Sequence, residues 1–213
     1  MKSIIVPALL LLLTACGTRT EIVRVNVPDI RVNPEQGAVV VVAPVRDQRP
    51  AEFLSKIPAS ERANNVGGEI RNGNGFKLAL ESETAADKTR EILIQALRNM
   101  GYRTADRCET DCLRLDASMN EFAVKMPFNF WRAAGWAQQM VADVAVEVSV
   151  HDRDRARTFT AKGHGTNVFQ VVSRENWEIA LERAVRDFTQ NFKQGMAAQE
   201  AATRTDATPN ALN

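Results

Sequence analysis

The sequence is short of the residues that carry most metal and nucleophile chemistry: it holds 2 histidines and 3 cysteines in 213 residues. No G-x-S-x-G, H-E-x-x-H or paired-cysteine metal pattern occurs. Gly73-Asn74-Gly75 stands in neither a G-x-x-x-x-G-K-[ST] nor a G-x-G-x-x-G context, so it reads as a turn rather than a phosphate loop. No catalytic residue, metal or cofactor is therefore expected, and the chain is read as non-enzymatic. His151, beside Asp152, and His164, between two glycines, are read as surface or hydrogen-bonded structural groups. Charge of one sign is also missing. The net charge is +1, with no basic stripe interleaved with aromatics, which argues against a nucleic-acid partner. Nor is there a long apolar run: the stretch up to Leu13 is about half of the ~20 residues that a membrane-spanning helix needs. What the chain does have is 45% hydrophobic and 25% charged residues, ordinary proportions for a protein with one packed core.

The amino end has signal-peptide anatomy: Met1, Lys2 and Ser3, then Ile4, Ile5, Val6, Pro7, Ala8 and an unbroken Leu9 to Leu13. It ends in Leu13-Thr14-Ala15-Cys16, which resembles the lipobox of bacterial lipoproteins. A chance cysteine behind an ordinary signal peptide, or a buried amino-terminal helix, are the competing readings. The resemblance implies that the cysteine thiol is diacylglycerylated, that the chain is cut before Cys16, and that the new amine is acylated. Residue 17 is Gly, where an Asp would imply retention in the inner membrane, so the resemblance implies an outer-membrane address facing the periplasm. Acyl chains at ~0.8 kcal/mol per buried methylene make such an anchor practically permanent.

Four segments follow: a leader over 1–15, a lipidated and extended tether over 16–36, a periplasmic αβ domain over 37–196, and a polar, low-complexity tail over 197–213 expected to be disordered. The tether alternates through Ile22, Val23, Val25 and Val27 but is interrupted by Pro28 and Pro34, so it is extended and suited to a sheet edge. Its twenty or so residues would reach up to ~65 Å at ~3.3 Å each.

Within the domain, the continuous run Ala38 to Ala43 reads as a central strand buried on both faces. Residues 48–82, rich in Gly, Pro and Asn, read as a long connection containing a hairpin rather than a helix. Ser82 can cap a helix from Glu83 to Met100, with Ile92, Leu93, Ala96 and Leu97 on one stripe and Gly101 as its stop. Alternation predicts strands at Leu113–Met119, at Ala142–Val150 and at Thr158–Phe169; in the last, Gly163 and Gly165 suggest a bulge or a close backbone approach. Ser173 opens a final helix with Trp177, Leu181, Ala184, Val185, Phe188 and Phe192 on its stripe, expected to end near Gly195. The fold class is α/β (α+β), in the order β-α-β-β-β-α. That order predicts a mixed sheet of four or more strands, with a parallel crossover, an antiparallel meander and both helices packed on one face.

Three places are candidates for function beyond Cys16. Asp47 and Arg49, in Val45-Arg46-Asp47-Gln48-Arg49-Pro50, follow the first core strand, where ligands often bind in α/β sheets; a turn cap with a local ion pair is the plainer reading. Phe128, Phe130, Trp131 and Trp136 crowd one connection between strands, either as a core-facing tip or as an exposed docking patch. Cys108 and Cys112, four apart in an oxidising compartment, suit a disulfide, with free thiols or a metal site as alternatives. So short a loop stabilises by less than the ~3 kcal/mol of a fifteen-residue one.

The lipobox, Val45 to Arg49, Leu97-Arg98-Asn99-Met100-Gly101-Tyr102, Asp143-Val144-Ala145-Val146, and Val168-Phe169-Gln170 leading to Trp177 resemble, in that order, the YajG-type family of envelope lipoproteins over about residues 16–195. The chain departs from it in its Gly/Asn-rich insertion and its cysteine pair. The resemblance implies an outer-membrane lipoprotein without known catalysis. The expected function is a lipid-anchored envelope module that binds a periplasmic protein partner; the alternative is an accessory lipoprotein of a lipid-transport system.

Overall fold

The computed structural model describes residues 18–27, 37–71, 74–109, 111–127, 137–153 and 155–206. Nine strands form one branched, mixed sheet among these residues: β1 Thr18–Val23, β2 Val39–Val42, β3 Arg46–Asp47, β4 Asn65–Arg71, β5 Asn74–Leu80, β6 Arg103–Ala105, β7 Leu113–Lys125, β8 Gln138–Asp152 and β9 Arg155–Phe169. Three helices accompany it: α1 Ala51–Ser55, α2 Ala85–Asn99 and α3 Arg174–Asp206.

The spine of the sheet is β7. On one side β8 pairs antiparallel with it, and β9 pairs antiparallel with β8 without a break from Gln138↔Phe169 to Asp152↔Arg155. On the other side β7 meets three partners in succession along its length, all parallel to it: β2 near its start, β3 at Ser118 and Met119, and β4 at Val124. The sheet therefore splits into two wings, β2–β6 beside the first half of β7 and β4–β5–β1 beside the second. The apolar alternation of β8 is the reason it forms: Ala142, Val144, Val146, Val148 and Val150 are all buried. In β7 the pattern changes phase. Leu115, Ala117 and Met119 are buried, a register shift follows between Met119 and Glu121, and Phe122 and Val124 carry on beyond it.

Both long helices belong to the same apolar cluster as the sheet. The stripe Trp177, Leu181, Ala184, Val185, Phe188 and Phe192 is fully buried, each large side chain contributing about 1.5–3 kcal/mol by leaving water. α3 crosses β9 antiparallel and very closely. A Cβ on Gly163 would lie 2.1 Å from the carbonyl oxygen of Ala184, and one on Gly165 would lie 2.2 Å from that of Ala180. The two glycines thus provide the close approach expected of them, and the β8–β9 pairing carries no bulge.

Several elements differ from the sequence reading. The order β-α-β-β-β-α omits β1, β3, β6 and α1, while the hairpin expected within residues 48–82 is present as β4–β5. Val39–Val42 is not central: it has neighbours on both sides, but it lies next to the edge strand β6, and its residues alternate between half-buried and buried. The cap of α2 is Thr84, not Ser82, because only Thr84 has a carboxylate three residues on. Its hydroxyl accepts from Asp87 N at 3.0 Å, and Asp87 returns the contact. Residues 18–23, read by sequence as an extended tether suited to a sheet edge, do form an edge strand, in register with β5, but Val23 and Val25 also reach the core. α3 does not stop at Gly195. That glycine lies against the Phe159 ring, and the Ala-, Gln- and Glu-rich residues after it continue the helix to Asp206.

Strand directions give the molecule two ends. β4 and β7 run opposite to β1, β5 and β8, while β9 runs with β7. Thr18, the start of β1, therefore shares one end with the finish of β9 and the start of α3. At the other end lie the starts of β2, β6 and β7, the β8–β9 turn and the later part of α3.

Candidate functional site

Cys16, Phe128, Phe130, Trp131 and Trp136 lie outside the described residues. The flanking residues Pro127 and Ala137 are at the Thr18 end.

Asp47 and Arg49 are together, but their bonds are directed into the fold. The Arg49 side chain is 1% exposed and grips Asp47 with two parallel bonds, Nε to Oδ1 at 3.0 Å and Nη2 to Oδ2 at 2.8 Å. It also donates to the carbonyl of Arg62 at 2.8 Å and to that of Asn65, and the Phe53 ring lies 5.7 Å from its guanidinium carbon. Asp47 Oδ1 accepts from the Arg49 backbone N–H at 3.2 Å as a turn cap. The pair ties β3 to the start of β4, the plainer of the two sequence readings. His151 pairs with Asp116 at 3.1 Å and His164 with Asp143 at 2.8 Å, so each is held by a carboxylate on a neighbouring strand. Cys108 and Cys112 are joined as a disulfide, with 5.8 Å between their Cα atoms. It closes the β6–β7 connection at the end away from Thr18.

That distal end also holds an apolar cleft with convergent polar groups. Its floor is Tyr102, Leu113, Val150 and Met196, and its rim is Asp152, Arg155, Arg157, Gln199 and Glu200. Local rules place each wall. Gly101, at φ 89°, ends α2 in the left-handed region and turns Tyr102 inward. The Tyr102 N–H donates to Leu97 O at 3.1 Å, and its hydroxyl donates to Glu200. Arg157 donates to the Gln199 carbonyl at 2.9 Å. Burial first, and the bond to Glu200 second, raise the Tyr102 phenol above its ordinary value, so it remains a neutral hydrogen-bonding group. The cleft encloses about 230 Å³, less than the ~300–1,000 Å³ usual for small-molecule sites. A single side chain of a partner fits such a space better than a cofactor does. Sequence reasoning missed it because its residues come from four separate elements and the turn after α2; the one local signal was Gly101-Tyr102 after a helix.

No family model matches the chain, and no curated protein does. Solved structures that resemble it include a Xanthomonas campestris protein (12% identity, 88% of this chain and 99% of that one, TM-score 0.44). A minor lipoprotein of Acinetobacter baumannii resembles it at 13% identity over 76% of this chain and 94% of that one, with a TM-score of 0.38. Rare lipoprotein B of Shewanella oneidensis does so at 11% identity over 54% and 88%, also with a TM-score of 0.38.

Proposed function

We propose that this chain is a non-enzymatic lipoprotein of the cell envelope, anchored in the outer membrane by acyl chains on Cys16, whose domain holds a periplasmic protein through the distal cleft. The supporting observation is the polarity of the fold. β1 begins at Thr18, one residue beyond Gly17, while the cleft of about 230 Å³ opens at the opposite end of the sheet. A lipid at one end and an apolar, charge-rimmed pocket at the other suit a module that captures a partner at a fixed distance from the membrane. With β8 spanning 15 residues, that distance is up to ~45 Å. Anchor pockets of this size, filled by one buried side chain, commonly dominate the energy of a protein interface.

The test has two parts. Labelled palmitate should enter the wild-type chain and sediment with outer-membrane fractions, and Cys16→Ser should abolish both; unchanged labelling would refute the anchor. A photo-crosslinker at Arg155 should give one discrete adduct in cells, lost when Met196→Arg fills the floor of the cleft. An adduct indifferent to Met196→Arg would refute the cleft as the docking point.

A further inference from the structure

We propose that the domain docks directly on the bilayer that carries its lipid, through an apolar corner formed by Val168, Val171 and Val172. The inference deepens the anchoring reading above and rests on it. Val171 is 74% exposed, Val168 59% and Val172 45%, the three most exposed large hydrophobic residues among those described, and they fall within five positions at the turn from β9 into α3. Val168 is on the face of β9 opposite α3, since its neighbours Asn167 and Phe169 are the buried ones. A single exposed valine needs no explanation, but three at one corner form an apolar patch of the kind that marks an interaction surface.

The occupant follows from the path of the chain. Only Gly17 separates Cys16 from Thr18, so the lipidated residue is within ~7 Å of the start of β1 even when stretched. Strand directions put the start of β1 and the finish of β9 at the same end of the sheet. Burying the acyl chains therefore brings the valine corner to the headgroup level, and the anchor keeps it there at high effective concentration. The charges at the start of α3 offer no excess of cations to an anionic surface: Arg174 lies 3.7 Å from Glu178 and 3.9 Å from Glu175, and Glu178 also accepts from the Arg24 backbone N–H at 2.9 Å. The contact is apolar rather than electrostatic and needs no anionic lipid.

The experiment uses the mature, acylated chain in phosphatidylcholine vesicles, carrying one nitroxide at Val171→Cys or, for comparison, at Arg153→Cys in the distal turn. At position 171, access of a water-soluble nickel relaxation agent should fall several-fold relative to position 153, and access of oxygen should rise. Added salt should leave both unchanged. Val168→Glu with Val172→Glu should return the position 171 label to water while the chain still floats with the vesicles. Equal nickel access at 171 and 153 in acylated protein would overturn the docking alone, and so would immersion that survives the double glutamate. A chain whose intact mass shows no acyl groups would overturn the lipoprotein reading, and the docking with it.

Discussion

Replacing Gly165 with alanine offers the sharpest test of how α3 is seated. In a strand, glycine to alanine normally stabilises by about 0.4–1 kcal/mol, because the unfolded chain loses freedom. Here the added methyl would lie 2.2 Å from Ala180 O, 2.4 Å from Ala184 N and 2.9 Å from Arg183 Cβ. Ordinary contact begins near ~3.5 Å, so the backbone of α3 must retreat by about 1 Å. Two of the three contacts are backbone atoms of a packed helix, so no side-chain rotation relieves them. Overpacking of this kind costs about 1–3 kcal/mol, and here the whole stripe from Trp177 to Phe192 shifts with the helix. The net expectation is a loss of about 1–2 kcal/mol, which at ~2–4 °C per kcal/mol lowers the melting temperature by roughly 2–8 °C. Gly163→Ala should behave alike, its Cβ lying 2.1 Å from Ala184 O. Because both clashes involve Ala184, the double variant should lose less than the sum. Thermal and urea unfolding of the mature chain carrying Cys16→Ser would measure each loss. An unchanged or raised melting temperature for Gly165→Ala would refute the close seating of α3 on β9.

Arg49→Met strands the Asp47 carboxylate and the carbonyls of Arg62 and Asn65, and should cost about 3 kcal/mol or more in urea unfolding; Arg49→Lys should recover little, since an ammonium cannot make the paired bonds. Tyr102 is the only tyrosine, so the near-ultraviolet absorbance of its phenolate reports one site. Its raised native pKa means that the stability it contributes is fully present below the ordinary tyrosine value of about 10 and falls as the pH climbs above it, a slope that Tyr102→Phe should remove. Intact-mass measurement after alkylation of the Cys16→Ser chain should find no modified thiol without reductant and two with it, from Cys108 and Cys112.

The elements legible in the sequence are those in which one periodicity runs unbroken. Ala142 to Val150 alternates cleanly because β8 is buried on one face only, and the stripe from Trp177 to Phe192 repeats at helical spacing because α3 lies on one surface. β7 was read only as far as Met119 because the shift before Glu121 reverses the phase, and a period of two read straight through the shift loses Phe122 and Val124. The alternation around Ile22 to Val27 marks an extended segment suited to a sheet edge, but its partner β5 lies more than fifty residues away, a pairing that no local pattern encodes. Asp47 and Arg49 were picked out by their position after a strand, but which way a guanidinium points depends on Arg62 and Asn65 and could not be read locally. The cleft was illegible for the same reason, being made where the turn after α2, the start of β7, the β8–β9 turn and the later part of α3 meet.

The parallel pairing of β1 with β5 has a mechanical consequence. If the lipid holds the chain at residue 16 while a partner pulls on the distal end, tension enters along the axis of β1. The pairs from Thr18↔Gly75 to Val23↔Leu80 are then loaded in shear. They must yield together rather than peel one after another, as they would if the pull came across the strand. The load passes through β5 and β4 to β7, so the resistance of the tethered module to being torn loose is set by the wing nearest the membrane, not by the stability of the helix-backed meander.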